Sequence, residues 1–268
     1  TYEFRRISSS TNNGQLTFAN PVQYDAEKDW GFYMDNKFEE LDMQGEWFYN
    51  PNNSRVYYWP PNNKNPNNLV IEGSSVDFGM IHPDGKPLAH YSIKDLSFCH
   101  QIIEGISFGS WSTENVQIED CKFFHQGETG VRVAGSNVDV KHNYFEGQFG
   151  RGVKVNKLSQ GNFTHNVMKR IGLVEGYGYD GNQNMNGFHF TNSDNLYIAY
   201  NEIDSVGYTG ITCYVAYSTV EKNIINYSNM RLDDGAAIYA YGDQSHHTLI
   251  QDNIIRNVIG YTIGTKNP

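Results

Sequence analysis

The chain has 268 residues with 30 Asp and Glu against 20 Lys and Arg, a net charge of −10 that offers no footprint for nucleic acid or an anionic membrane. The length is ample for a hydrophobic core, and the 14% of aromatic residues speaks against disorder. Asn (30) and Gly (26) make up about a fifth of the chain, a composition of short strands and tight turns rather than long helices.

The start, TYEFRRISSS, lacks the apolar core of a signal peptide, and no apolar run approaches the about 18 residues of a membrane span. Residues 15–36 can supply about one coil of strand. The segment GEWFYNPNNSRVYYWPPNN (45–63) predicts a β-hairpin, with aromatic strands around Pro51-Asn52-Asn53-Ser54 and a stop at Pro60-Pro61. NNKNPNN (62–68) reads as a surface turn. Residues 1–90 are thus an irregular β region carrying one hairpin, at about 45–61. Cys99, Cys121 and Cys213 lie far apart without a CxxC pair, which predicts buried free thiols and no zinc site.

From residue 91 to 268 one pattern recurs: apolar, two variable residues, Asn, one variable residue, apolar. It appears as VKHNYF (140–145), FTHNVM (163–168), IAYNEI (198–203), VEKNII (220–225) and IQDNII (250–255), with Leu96 and Cys121 taking the Asn slot in two earlier copies. Nine residues after most slots comes Gly and an apolar residue, as in Gly105-Ile106, Gly130-Val131, Gly152-Val153 and Gly210-Ile211. A unit near 22 residues cannot bury its apolar face alone, whereas stacked coils can, at about 4.8 Å per coil. The Asn slot then forms a ladder whose amides satisfy turn backbone otherwise buried unpaired. The pattern predicts an all-β right-handed parallel β-helix, a solenoid of about seven regular coils. A leucine-rich horseshoe would need several Leu per unit, and they are missing.

The segment LDMQGEWFYNPNNSRVYYWPP (41–61), the Asn-slot coils and DDGAAIYAYGD (233–243) together resemble the secreted bacterial carbohydrate-active β-helix proteins. These include several glycoside hydrolase families and, more distantly, the pectate-lyase-like polysaccharide lyases. The resemblance implies a carbohydrate substrate and a secreted or periplasmic location, the leader not being present in this chain, and leaves the reaction open. Such proteins are usually longer, and the chain stops after a regular coil without a cap. The expectation is a piece of a longer protein, or a stack capped by a partner.

Alternation along the Gly-apolar strands predicts an outward column of Arg132, Lys154, His189, Thr212 and Tyr239. It reads either as an ordinary solvated sheet face or as a groove touching several sugar units. Two insertions, GLVEGYGYDGNQNMN (172–186) and NYSNMRLDDG (226–235), enter coils of this column and would wall it. They bring Glu175, Asp180, Asp233 and Asp234. Glycoside hydrolysis needs two carboxyls, one protonated and one ionised, about 5 Å apart for retention or about 6.5–9.5 Å for inversion. The candidate catalytic residues are therefore Asp233, Asp234, Asp180, Glu175 and His189. Asp233-Asp234-Gly235 also suits a plain turn. Arg132, Lys154, Thr212, Tyr177, Tyr239 and Tyr241 are candidates for sugar binding, with Tyr179 and Tyr208 as further rings.

Two alternatives stand beside the hydrolase. A lyase or epimerase on uronic-acid glycans would use Arg132 and Lys154 to neutralise the acid group and take the α proton, with Ca²⁺ as an aid. A noncatalytic glycan-binding β-helix or adhesin would need only the Tyr-rich face. No cofactor is expected for the hydrolase, and His246-His247 lacks a third ligand for a metal.

Overall fold

The computed structural model describes residues 3–22, 32–82, 86, 88–109, 113–177 and 184–260. They fall into two compact units, one of residues 3–22 and 74–260, the other of residues 32–73. The first is an all-β parallel solenoid of about six turns, the number of full turns that seven Asn slots bound. No helix among the described residues is long and apolar enough to cross a membrane.

Each turn contributes a strand to three faces. The first face stacks Phe78–Ile81, Glu104–Phe108, the leading halves of Thr129–Lys141, Arg151–Thr164 and Phe188–Ala199, then Ile211–Ala216 and Ile238–Tyr239. The trailing halves of the three long strands continue onto the second face, between Leu88–Lys94 and Thr113–Glu119 on one side and Thr219–Glu221 and Leu249–Gln251 on the other. The third face runs from Ser97–Cys99 through Lys122–Phe124, Tyr144–Glu146, Val167–Ile171, Glu202–Val206 and Ile224–Ser228 to Ile254–Val258.

The Asn slot is a buried ladder. Asn143, Asn166, Asn201 and Asn223 each pass an amide N–H to the side-chain oxygen of the next, the last to Asn253, 2.9–3.1 Å away. Their second N–H reaches a carbonyl of the preceding coil, as Asn166 does at Val140, 2.9 Å away. The residue before every slot, from Asp95 through His142, His165, Tyr200 and Lys222 to Asp252, has φ between 53° and 59° although none is Gly. The ladder holds the chain in this left-handed corner, which Asn or Gly would occupy with less strain. A second ladder at another corner, Gln101-Gln126-Gln148, links side chains at 2.7 Å and was not expected from the repeat.

Inside, Phe98, Phe123 and Phe145 stack with their rings nearly parallel, with centroids 5.0 and 4.8 Å apart. The recurrent Gly lies against these rings: a Cβ on Gly105 would stand 2.8 Å from Phe123 and 2.6 Å from the Gly130 carbonyl. In the last coil the inward positions Ile250 and Ile255 are 46% and 48% exposed, whereas their counterparts Val220 and Ile225 are fully buried.

Three sequence expectations change. Coils begin at Phe78 rather than 91, because Gly79-Met80 already supplies the Gly-apolar pair and joins Glu104–Phe108 in parallel. Leu16–Phe18 pairs antiparallel with Ile7–Ser10 and adds no coil. Cys99 is exposed, since it follows the buried Phe98 and alternation turns it outward, while Cys121 and Cys213 are buried. In the second unit the expected hairpin is present, with Trp47–Asn50 antiparallel to Arg55–Tyr58 and Phe38 packed edge-on to Phe48 and Tyr57.

Candidate functional site

The first face places the five predicted column residues in one register. Ser107 pairs with Arg132, Arg132 with Lys154, Lys154 with His189, His189 with Thr212 and Thr212 with Tyr239. Their strand neighbours Val131, Val153, Phe188 and Ile211 are fully buried in the core. Arg132 to Tyr239 is four coil steps, roughly 19 Å at about 4.8 Å each.

Charge concentrates at the Arg132 end, partly on residues outside the predicted set. Glu104, Thr129 and Arg151 occupy the register position just before the recurrent Gly, and all three are buried. Glu104 is only 2% exposed, and its Oε2 makes no hydrogen bond among the described residues. Its Oε1 lies 3.8 Å from Arg132 Nη1, and Ser107, three residues on along the same strand, also favours the ionised carboxyl. Burial pushes the Glu104 carboxyl above its ordinary range despite Ser107 and Arg132. Glu128 is raised as well, first by burial, against the opposing charges of Lys154, Arg151 and Arg132. Lys154 is lowered by burial and then by Arg151 and Arg132, with Glu104 and Glu128 acting the other way. The five groups therefore form one electrostatic cluster.

His189 adjoins it. Burial, then Arg151 and Lys154, hold its imidazole down at about 3, so the ring is neutral at physiological pH. Its Nδ1 lies 3.1 Å from the Asn186 amide nitrogen. With Nδ1 accepting from that amide, Nε2 carries the proton and acts as a donor. The next column residue, Thr212, is buried with its hydroxyl unpartnered among the described residues.

The far end is aromatic. Tyr214, on the same strand as Thr212, has its ring 6.2 Å from Tyr239 and 6.3 Å from Tyr241. Tyr208 donates its hydroxyl to the Asp234 carbonyl. Burial, and then Asp234, Tyr239, Tyr214 and Asp233, push its phenol up. Asp233 and Asp234 are exposed. The two insertions meet through Arg231, whose Nε lies 3.5 Å from Glu175 Oε1 and 3.0 Å from the Leu173 carbonyl. Tyr177 packs edge-on to Phe149. Asp180 and Tyr179 lie outside the described residues.

The structure thus brings Arg132, Lys154, His189, Thr212 and Tyr239 together, pairs Glu175 with Arg231, and sets Asp233 and Asp234 beside Tyr208. Sequence reasoning missed Glu104, Glu128, Arg151 and Tyr214. The available signal was a charged residue within two positions before the recurrent Gly, in IEGI, GETGV and GRGV. Comparison with protein-family models, curated proteins and solved structures found no match to this chain.

Proposed function

We propose that the chain is a glycoside hydrolase that takes an oligosaccharide or polysaccharide along the Arg132-to-Tyr239 column, with Glu104 and Glu128 as its carboxyl pair. The observation that carries this reading is Glu104, a buried carboxyl with an unpartnered oxygen, raised toward the protonated form beside a second carboxyl. Desolvation is what keeps a general acid protonated near neutral pH. In the reaction Glu104 passes its proton to the glycosidic oxygen as the C–O bond breaks. Glu128, raised by burial but favoured in its ionised form by Lys154, Arg151 and Arg132, serves in this reading as the ionised partner that attacks the anomeric carbon or activates water.

Asp233 and Asp234 then act at the other end. The Glu104 coil and the Tyr239 coil are five steps apart, roughly 24 Å at about 4.8 Å per step, against the about 5–9.5 Å that a carboxyl pair needs. In this reading they hydrogen-bond sugar hydroxyls beside the Tyr208, Tyr214 and Tyr239 rings, which stack on apolar sugar faces.

A polysaccharide panel assayed for new reducing ends and for ultraviolet absorbance tests the assignment. Glu104→Gln and Glu128→Gln are each expected to lower turnover by about 100-fold or more, with Asp234→Asn mainly weakening KM. Loss of turnover in Asp234→Asn with full activity in Glu104→Gln would overturn it. An absorbing, unsaturated product lost in Lys154→Ala would replace hydrolysis by the lyase reaction, and binding without turnover would establish the noncatalytic reading.

A further inference from the structure

We propose that Gly109 is a positioning residue whose bare backbone seats the Arg132 guanidinium against the Glu104 carboxyl. Its role rests on the hydrolase reading and deepens it by naming what regulates the pH range of the proton donor.

Gly109 follows directly on the strand Glu104–Phe108, one coil before Arg132, whose register partner on that strand is Ser107. A Cβ built on Gly109 would stand 2.6 Å from Arg132 Nε, 3.0 Å from its Cζ and 3.1 Å from its Nη2, and these are the three closest atoms it would meet. All three belong to one guanidinium, which therefore occupies the place where another residue would carry its side chain. The φ of Gly109 lies outside the left-handed region, so backbone conformation does not demand glycine there. The remaining guanidinium nitrogen, Nη1, is the one 3.8 Å from Glu104 Oε1. Because the guanidinium is a rigid plane, resting Nε and Nη2 on Gly109 fixes where Nη1 points. Glu104 is 2% exposed, whereas the Arg132 side chain is 45% exposed. A methyl at position 109 stands on immobile backbone, so Arg132 yields outward to water and away from the buried carboxyl. Burial raises that carboxyl, and of the charged groups facing it Arg132 opposes burial most, ahead of Glu128, which raises it further, and Lys154. Phe78–Ile81, the strand on the other side of Glu104, carries no charged residue.

A carbon-13 carboxyl titration read by nuclear magnetic resonance tests the seat, with the Glu104 signal identified by its loss in Glu104→Gln. Gly109→Ala is expected to raise the Glu104 midpoint by about half a pH unit or more, in the same direction as Arg132→Gln. In an Arg132→Gln background the same methyl should leave the midpoint where Arg132→Gln alone puts it, since the two changes act through one contact. An unchanged or lowered midpoint in Gly109→Ala, or an equal rise with and without Arg132, overturns the proposal. Should Gly109→Ala fail to fold, the double variant decides: folding restored by Arg132→Gln supports the contact, and a double variant that stays unfolded overturns it. The titration uses no substrate, so full turnover in Glu104→Gln would end the hydrolase reading without touching this result. Coincident alkaline limbs of kcat in Gly109→Ala and the unsubstituted chain, with Glu104→Gln inactive, would remove the seat and leave the hydrolase.

Discussion

Arg132 and Glu104 stand on adjacent coils with Nη1 3.8 Å from Oε1, a half-exposed guanidinium facing a carboxyl that water scarcely reaches. Burial raises the carboxyl and the guanidinium opposes it, burial being the larger effect.

A pH profile follows from that balance. If Glu104 donates the proton, kcat falls as pH rises through its raised value and the acid is lost. Arg132 stabilises the carboxylate, so Arg132→Gln lifts Glu104 further and moves the alkaline limb to higher pH. Coincident limbs in the two proteins would remove Glu104 from the proton-donor role.

His189 makes stability depend on acid. Its value drops from 6.5 in the unfolded chain to about 3 in the fold, so between those pH values the unfolded state binds a proton the folded state refuses. The contribution is complete above 6.5 and is lost as pH falls toward 3. At about pH 4.5 the loss amounts to roughly 3 kcal/mol. Thermal melts at neutral pH and at about pH 4.5 should therefore diverge less in His189→Gln than in the unsubstituted chain.

Asn166 is the test of the ladder. Its side chain accepts from the Asn143 backbone and amide and donates to Val140 and Asn201, all at 2.9–3.1 Å. Asn166→Ala orphans several buried groups at once and should cost about 3 kcal/mol or more in urea denaturation.

Gly105 tests the coil spacing. In Gly105→Ala the new methyl meets the Gly130 carbonyl at 2.6 Å and the Phe123 ring at 2.8 Å, both immobile, so a loss of about 1–3 kcal/mol is expected. Gly73→Ala, with nothing within 4 Å, should stay within about 0.5 kcal/mol.

The repeat is legible because an uninterrupted coil returns to the same corner after about 22 residues, so the spacing of Asn143 to Asn166 and of Asn201 to Asn223 along the chain is enough to announce the ladder. The Arg132–Tyr239 column is legible for the same reason: one slot and one Gly-apolar pair per coil, with Ala237-Ile238 in its place in the Tyr239 coil, set the register along the first face. Outside the pattern the signal weakens. The strand Phe78–Ile81 and the Gln101-Gln126-Gln148 ladder belong to the same stack, but their repeats begin or end early and supply too few copies to stand out.

Period and alternation by themselves determined an all-β parallel stack, its Asn corner and the five residues sharing one outward line, because these depend only on spacing along the chain. Burial was decided by the tertiary structure. Glu104, Glu128 and Arg151 look like ordinary charged residues near a turn, and only stacking coils buries Glu104 and Arg151, half-buries Glu128 and sets the three against Arg132 and Lys154. Desolvation and the addition of charges from neighbouring coils are properties of the assembled face, so the chemistry of the site became visible only there.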